Sequence, residues 1–206
     1  MSEFNNTIDL LGDDVVAASI ISKTITEYND DSLNSVGGYA FANCSKLTSV
    51  NLPNVTSVGR NAFDGCEKLM SVDLPNAQKA ETYTFSQCRE LTSVNLSNAV
   101  SIGIQTFASC YVLPFLDLPK VAMITGQASF SYCRMLTTLV LRSPTVCIVE
   151  NVNTFNNSPF NGYEGRTGTV YVPQALIEEY QNATNWSTLY AAGTCNFVAI
   201  EGSEYE

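Results

Sequence analysis

The feature that most constrains this chain is a period. Phe41, Phe63, Phe85 and Phe107 stand 22 residues apart, and Phe130 and Phe155 follow after 23 and 25. Cys44, Cys66, Cys88, Cys110 and Cys133 each follow a phenylalanine by three residues. Leu47, Leu69, Leu91, Leu113 and Leu136 come three residues later again, and Leu52, Leu74, Leu96, Leu118 and Leu141 form a further column. The consensus reads V-G-x-x-A-F-x-x-C-x-x-L-T-S-V-x-L-P-N-V-x-x. Columns sharing one period mark a stacked array, in which equivalent residues meet equivalent surroundings.

Elementary geometry gives each unit a shape. In L-T-S-V-N-L, Val50 and Leu52 lie on one side of a short strand. One unit cannot bury that apolar side alone; stacked copies pair as a parallel sheet and share a core. The phenylalanine column makes a second stack under the opposite, convex wall. Pro53, Pro75 and Pro119 have no amide to donate and end each ladder, and Gly37, Gly59 and Gly103 suit a tight turn before the convex segment. The array departs from its pattern in places. Ser97 replaces the strand-ending proline, Pro114 removes a ladder donor beside Phe115, and one extra residue enters near Ala128–Ser129. Each departure reads as a local bulge in an unchanged fold.

Composition removes several functions. The net charge is −10, with 20 acidic and 10 basic residues, which disfavours phosphate backbones and anionic membranes. No run of 18 apolar residues offers a membrane span. The chain has no histidine, the commonest general base and metal ligand. There is no G-x-S-x-G and no phosphate-binding loop. The seven cysteines are not paired as C-x₂₋₄-C, so no zinc site is expected. Cysteines of the repeat lie one rung apart, about 4.8 Å, with side chains pointing in parallel, which disfavours disulfides. They read as a ladder of buried thiols donating weakly to turn carbonyls. Cys147 and Cys195 lie outside the column, where packing and a disulfide are both open. No cofactor and no catalytic residue is expected.

The A-F-x-x-C-x-x-L-x-x-V-x-L-P pattern, over about residues 36 to 160, resembles the BspA-like class of leucine-rich repeats. The segments LTTLVLRSPTV, NTFNNSPF and GTVYVPQALIEEYQNATNWSTL resemble the closing segment of such arrays in bacterial surface and phage-encoded proteins. The resemblance implies a leucine-rich-repeat solenoid with a parallel β-sheet on the concave face. Turns and short helical or extended segments would form the convex face, with a helical N-cap and a small α/β C-cap. It transfers no catalytic residue. Residues 1–35 then form an N-terminal cap with a degenerate first repeat, 36–160 five to six repeats of about 22 residues, and 161–206 the C-terminal cap. Residues 13–24 read as a helix. Ile25 and Tyr28 fall at the Leu47 and Val50 positions of a first strand. GTVYV reads as a strand, Pro173 opens a helix over QALIEEYQNA, NWSTLY forms a second, and Cys195–Ile200 a final strand.

Residues alternating with the core form the expected binding face. One column runs Ser49, Ser71, Ser93, Phe115, Thr138; the next runs Asn51, Asp73, Asn95, Asp117, Val140. Small hydroxyls beside amides and carboxylates suit sugar hydroxyls or peptide amides, and Phe115, Thr138 and Val140 make the apolar, anchoring end. Asp73 and Asp117 lie two rungs apart, about 10 Å. That is at or beyond the long end of the inverting-glycosidase range of about 6.5–9.5 Å. Tyr163, Tyr171, Tyr180, Trp186 and Tyr190 offer either an anchor surface or packing for the cap. The expectation is a non-enzymatic recognition or adhesion module for protein or glycan, on a bacterial cell surface or a phage particle. The alternative is a structural assembly protein that oligomerises through its caps. The N-terminus MSEFNNTIDLLGDD lacks a secretory pattern. Either the chain is made without secretory export or a leader lies outside this sequence; with several free thiols, the reading leans toward a cytosolically made virion part over a secreted protein.

Overall fold

A computed structural model describes residues 25–206; the helix expected over residues 13–24 lies outside them. Short strands alternate along the repeats: β1 (Glu27–Asn29), β2 (Ser35–Val36), β3 (Ser49–Asn51), β4 (Ser57–Val58), β5 (Ser71–Asp73), β6 (Lys79–Ala80), β7 (Ser93–Asn95), β8 (Ser101–Ile102), β9 (Phe115–Asp117), β10 (Met123–Ile124), β11 (Thr138–Val140) and β12 (Ile148–Val149). The C-terminal segment adds β13 (Gly168–Val172), α1 (Ile177–Asn182), α2 (Trp186–Ala191) and β14 (Cys195–Ala199). A 3₁₀ turn over Gln174–Leu176 precedes α1, so the helix expected after Pro173 starts tighter and ends sooner.

All strand pairing is parallel and follows the period. Tyr28 pairs with Val50 as the degenerate first strand requires, Val50 with Val72, and Val72 with Val94. The strands of three and five residues form two sheets, β1-β3-β5-β7 and β9-β11-β13-β14. No ladder joins β7 to β9 among the described residues. Pro114 is the cause. Thr92 N donates to Met70 O and Thr137 N to Pro114 O, but proline has no N–H to offer Thr92. The expected bulge is therefore a gap: the Cα register runs on, with Phe115 opposite Thr138.

Inside, the phenylalanines form a pillar. Phe41, Phe63, Phe85, Phe107, Phe130 and Phe155 stack with centroids 5.1–5.5 Å apart and planes within 19°. Tyr28 tilts onto the first ring, and Phe160 and Trp186 onto the last. These side chains have little or no exposure, so each buries the full apolar area of an aromatic ring. The asparagine that follows the strand-end position also acts between rungs: Asn54, Asn76 and Asn98 Nδ2 donate to the carbonyls of Asp31, Pro53 and Pro75.

Gly37 and Gly59 open the turn, their carbonyls accepting from Ala40 N and Ala62 N, but neither they nor Gly103 is left-handed. A Cβ on Gly59 would lie 2.5 Å from Gly38 N, and one on Gly103 2.8 Å from Glu81 C. These glycines admit the backbone of the neighbouring rung. The left-handed residues come two positions later, at Tyr39, Asn61, Tyr83, Gln105 and Ala128. Such φ values are costly without glycine. They are offset by amides of the turn donating to the next rung, as Tyr39 N does to Arg60 O and Tyr83 N to Ile104 O. Because Ala128 keeps this column, the extra residue of the fifth rung sits upstream of Ala128–Ser129, where Gly126 takes φ +74°.

The C-terminal segment covers one end of the array. Tyr180, Trp186 and Phe197 pack together and bring Trp186 onto Phe155. Trp186 Nε1 donates to Cys147 O at 2.7 Å, the Cys147 amide donates to Tyr180 Oη at 2.9 Å, and Asn185 Nδ2 donates to Val149 O at 2.6 Å. The backbone at β12, the last strand of its sheet, thus finds partners in side chains.

Candidate functional site

The outward face of the three-residue strands carries the residues singled out from the sequence. Alternation puts Val50, Val72, Leu116 and Leu139 in the core and their neighbours outward. Ser71, Ser93 and Asn51 are exposed; Ser49, Asp73, Asn95, Phe115, Asp117 and Thr138 are half-buried. Strand pairing sets them in two columns, Ser49-Ser71-Ser93 and Asn51-Asp73-Asn95 on one sheet, Phe115-Thr138 and Asp117-Val140 on the other. The columns extend beyond the residues expected from the repeat. Glu27 and Asn29 precede them, and Thr169, Tyr171, Asn196 and Val198 follow. The last four lie in strands whose sequence had lost the period, and only GTVYV and CNFVA alternation signals them.

The first sheet presents a polar, ordered surface. Asn95 Nδ2 donates to Asp73 Oδ1 across one rung at 2.7 Å. Asn95 Oδ1 accepts from Ser97 N and Oγ, so the serine standing for proline closes a local turn. On the second sheet Asp117 is held by Arg142, with Nη2 3.1 Å and Nε 3.3 Å from Oδ2. Asp73 and Asp117 therefore stand on different sheets, each with its own partner. Nothing in this arrangement sets them up as an acid and base.

Val140 departs from expectation. It holds the outward position of β11 but has no exposed surface. Beside it, Tyr205 bridges rings on the two strands that flank β11. The ring of Tyr205 stacks on Phe115 at 5.4 Å and 15°, and meets Tyr171 edge-on at 4.6 Å and 61°. Burial, then the Glu204 carboxylate, push its phenol above the ordinary value. The apolar end of the face is occupied from within the molecule. Tyr180 and Trp186 pack the interior, while Tyr190 is exposed.

The cysteines are all free and buried. Cys66, Cys88, Cys110 and Cys133 Sγ donate to the carbonyls of Phe41, Phe63, Phe85 and Phe107, 25 or 26 residues earlier, at 2.9–3.2 Å. Burial pushes Cys88, Cys110 and Cys133 well above the ordinary thiol value, and Cys147 and Cys195 up to about 12. Such thiols stay protonated and unreactive. Among the described residues, no group of three or more Cys, Asp or Glu side chains is placed to hold a metal ion. No helix there is long and apolar enough to cross a membrane.

A family model described as the BspA type leucine rich repeat region matches residues 18–137 in six copies. Among solved structures, a leucine-rich repeat protein from Bacteroides ovatus superposes with a TM-score of 0.58 at 24% identity, covering 85% of this chain and 42% of that one. The T. pallidum leucine rich repeat protein gives 0.56 at 22% identity, over 77% of this chain and 83% of that one. A leucine rich cell surface protein from Faecalibacterium prausnitzii gives 0.53 at 20%, over 76% and 46%. These likenesses concern the fold, and the chain spans less than half the length of the Bacteroides ovatus protein. A search of the curated proteins finds no match.

Proposed function

The chain belongs to the BspA-type leucine-rich repeat family, and on that premise we propose that it is a non-catalytic recognition or adhesion module binding protein or glycan through its outward strand face. The observation that carries this reading is the preformed polar lattice of Ser49, Ser71 and Ser93 beside Asn51, Asp73 and Asn95. Hydroxyls, amides and carboxylates repeat there at the rung spacing on a rigid sheet, so little ordering is required on binding. Residues 36–160 act as the recognition array and 161–206 as its cap. Display at a bacterial cell surface is in keeping with the printed name of the Faecalibacterium protein; a phage particle is the other setting. The test is a glycan-array and intact-cell binding assay of the wild type against Ser93→Arg/Asn95→Arg. Loss of binding in a variant that stays folded supports the reading, and undiminished binding refutes it.

A second reading, structural assembly through self-association, has its own observation. Val100, Ile104, Ile148 and Val152 are exposed by 37–54%, and Ile148 pairs with Met123 on β10. Ile148 lies on the two-residue strand sheet, Val100 and Ile104 flank β8, and Val152 opens a 3₁₀ turn. Exposed apolar side chains of this size suit a contact surface. A concentration-dependent mass in solution that Ile148→Glu abolishes would favour assembly.

A further inference from the structure

The tail is tied down unusually lightly for a segment that covers a core-like patch. Beyond Ile200, whose amide donates to Val172 O, backbone bonds of residues 201–206 run only within the tail turn, as Ser203 N to Ile200 O and Glu206 N to Ser203 O. Tyr205 N donates to Ser203 Oγ, and Gly202, left-handed at φ +79°, donates to Glu206 Oε2. One further tie is a side chain, Glu201 Oε2 accepting from Gln174 N. No strand ladder includes the tail among the described residues. The Tyr205 ring can therefore leave Phe115 and Tyr171 without breaking any sheet bond. What it leaves is a ring for face stacking, Phe115, and a ring for edge contact, Tyr171, on the two strands that flank Thr138 and Val140.

The same positions in the first sheet are serine, asparagine and aspartate, so apolar residues here are a departure from the repeat. An apolar outward patch needs a cover, and the cover is one side chain on a short turn. We propose that the second half of the strand face is a binding site for an aromatic side chain on an acidic protein segment, and that Tyr205 is an internal competitor that keeps it shut. The occupant in the structure specifies the ligand: a phenol flanked by Glu204 and Glu206. This inference rests on the reading of the strand face as the recognition surface. It adds the partner chemistry and a gate.

The experiment uses the full chain carrying Tyr205→Ala. The probes are a synthetic peptide with the sequence of residues 201–206 and a counterpart with alanine in place of its tyrosine. Binding is followed by chemical-shift changes at Thr138 and Tyr171. The expected result is saturable binding of the tyrosine peptide to the variant and at least about ten-fold weaker binding to the wild type, as when the competent state is about one-tenth populated. The alanine peptide and the double variant Phe115→Ser/Tyr205→Ala should give none. The thermal midpoint of Tyr205→Ala should fall by no more than about 2–4 °C. A variant that melts far lower or aggregates would show that the ring is a structural cover, and equal binding to both proteins, or to neither, would remove the gate. Preferential binding of a free sugar would assign the site to glycan instead. Failure here is separable from failure of the strand-face reading, because that reading is tested at Ser93 and Asn95 on the other sheet, with glycans and cells.

Discussion

From β1 to β7 the outward strand positions are Glu27, Asn29, Ser49, Asn51, Ser71, Asp73, Ser93 and Asn95; from β9 to β13 they include Phe115, Val140 and Tyr171. The interior is the same in both regions: the phenylalanine pillar runs past Pro114 with the centroids of Phe85, Phe107 and Phe130 still 5.4–5.5 Å apart. Stacking thus fixes only the inward columns. The outward columns are free to diverge, and where they turned apolar the chain covers them with its own tail. The seam between the two regions falls where proline cannot donate.

The largest expected effect separates inward from outward phenylalanines. Phe85→Ala should lower stability in urea by about 3–5 kcal/mol, as for a fully buried ring. Phe115→Ala, which removes mainly a stack with Tyr205, should cost about 0.5–1.5 kcal/mol. Equal losses would erase the distinction between pillar and face.

The thiols ask whether the interior is equally tight on both sides of the seam. Under native conditions Cys66 and Cys88 should resist a thiol reagent as fully as Cys133, Cys147 and Cys195. Prior labelling of the last three would show a looser second region. Burial raises the folded thiols above their unfolded value, so the associated stability is complete below about pH 9 and lost as pH rises. For Cys147 and Cys195 the loss runs from 9.0 toward about 12. A urea midpoint that is flat across this window would contradict their burial.

The smallest effect concerns the seam itself. Pro114→Thr restores a donor for Thr92 O, worth about 0.5–1.5 kcal/mol, against about 0.4–1 kcal/mol lost when the unfolded chain is freed. The net change in stability should stay below about 1 kcal/mol. Amide exchange at residue 114 should become slow, as at Thr92 and Thr137; fast exchange there would mean that the sheets remain apart for another reason.

The sequence made the repeated parts legible because each interior column answers to one local environment. Strand register, the phenylalanine pillar, the thiol-to-carbonyl ladder and the strand-end positions all follow from the period. Three things did not. The left-handed column from Tyr39 to Ala128 holds tyrosine, asparagine, glutamine and alanine, so no residue type announces it. The glycines before it serve close approach between rungs, a contact absent from any single repeat. Val140 is buried between strands whose Phe115 and Tyr171 are bridged by Tyr205, 65 residues later and outside the period, so pattern alone left it as open surface.

The account's central claim is that one strand face has an open polar region and a region closed by the tail. Hydroxyl-radical footprinting of the wild type and Tyr205→Ala tests it most directly, with Tyr39 and Tyr83, both exposed, as internal references. The account predicts that Phe115 and Tyr171 are protected in the wild type and become reactive in the variant, while Tyr39 and Tyr83 react equally in both. Phe115 and Tyr171 reacting alike in the two proteins would contradict it.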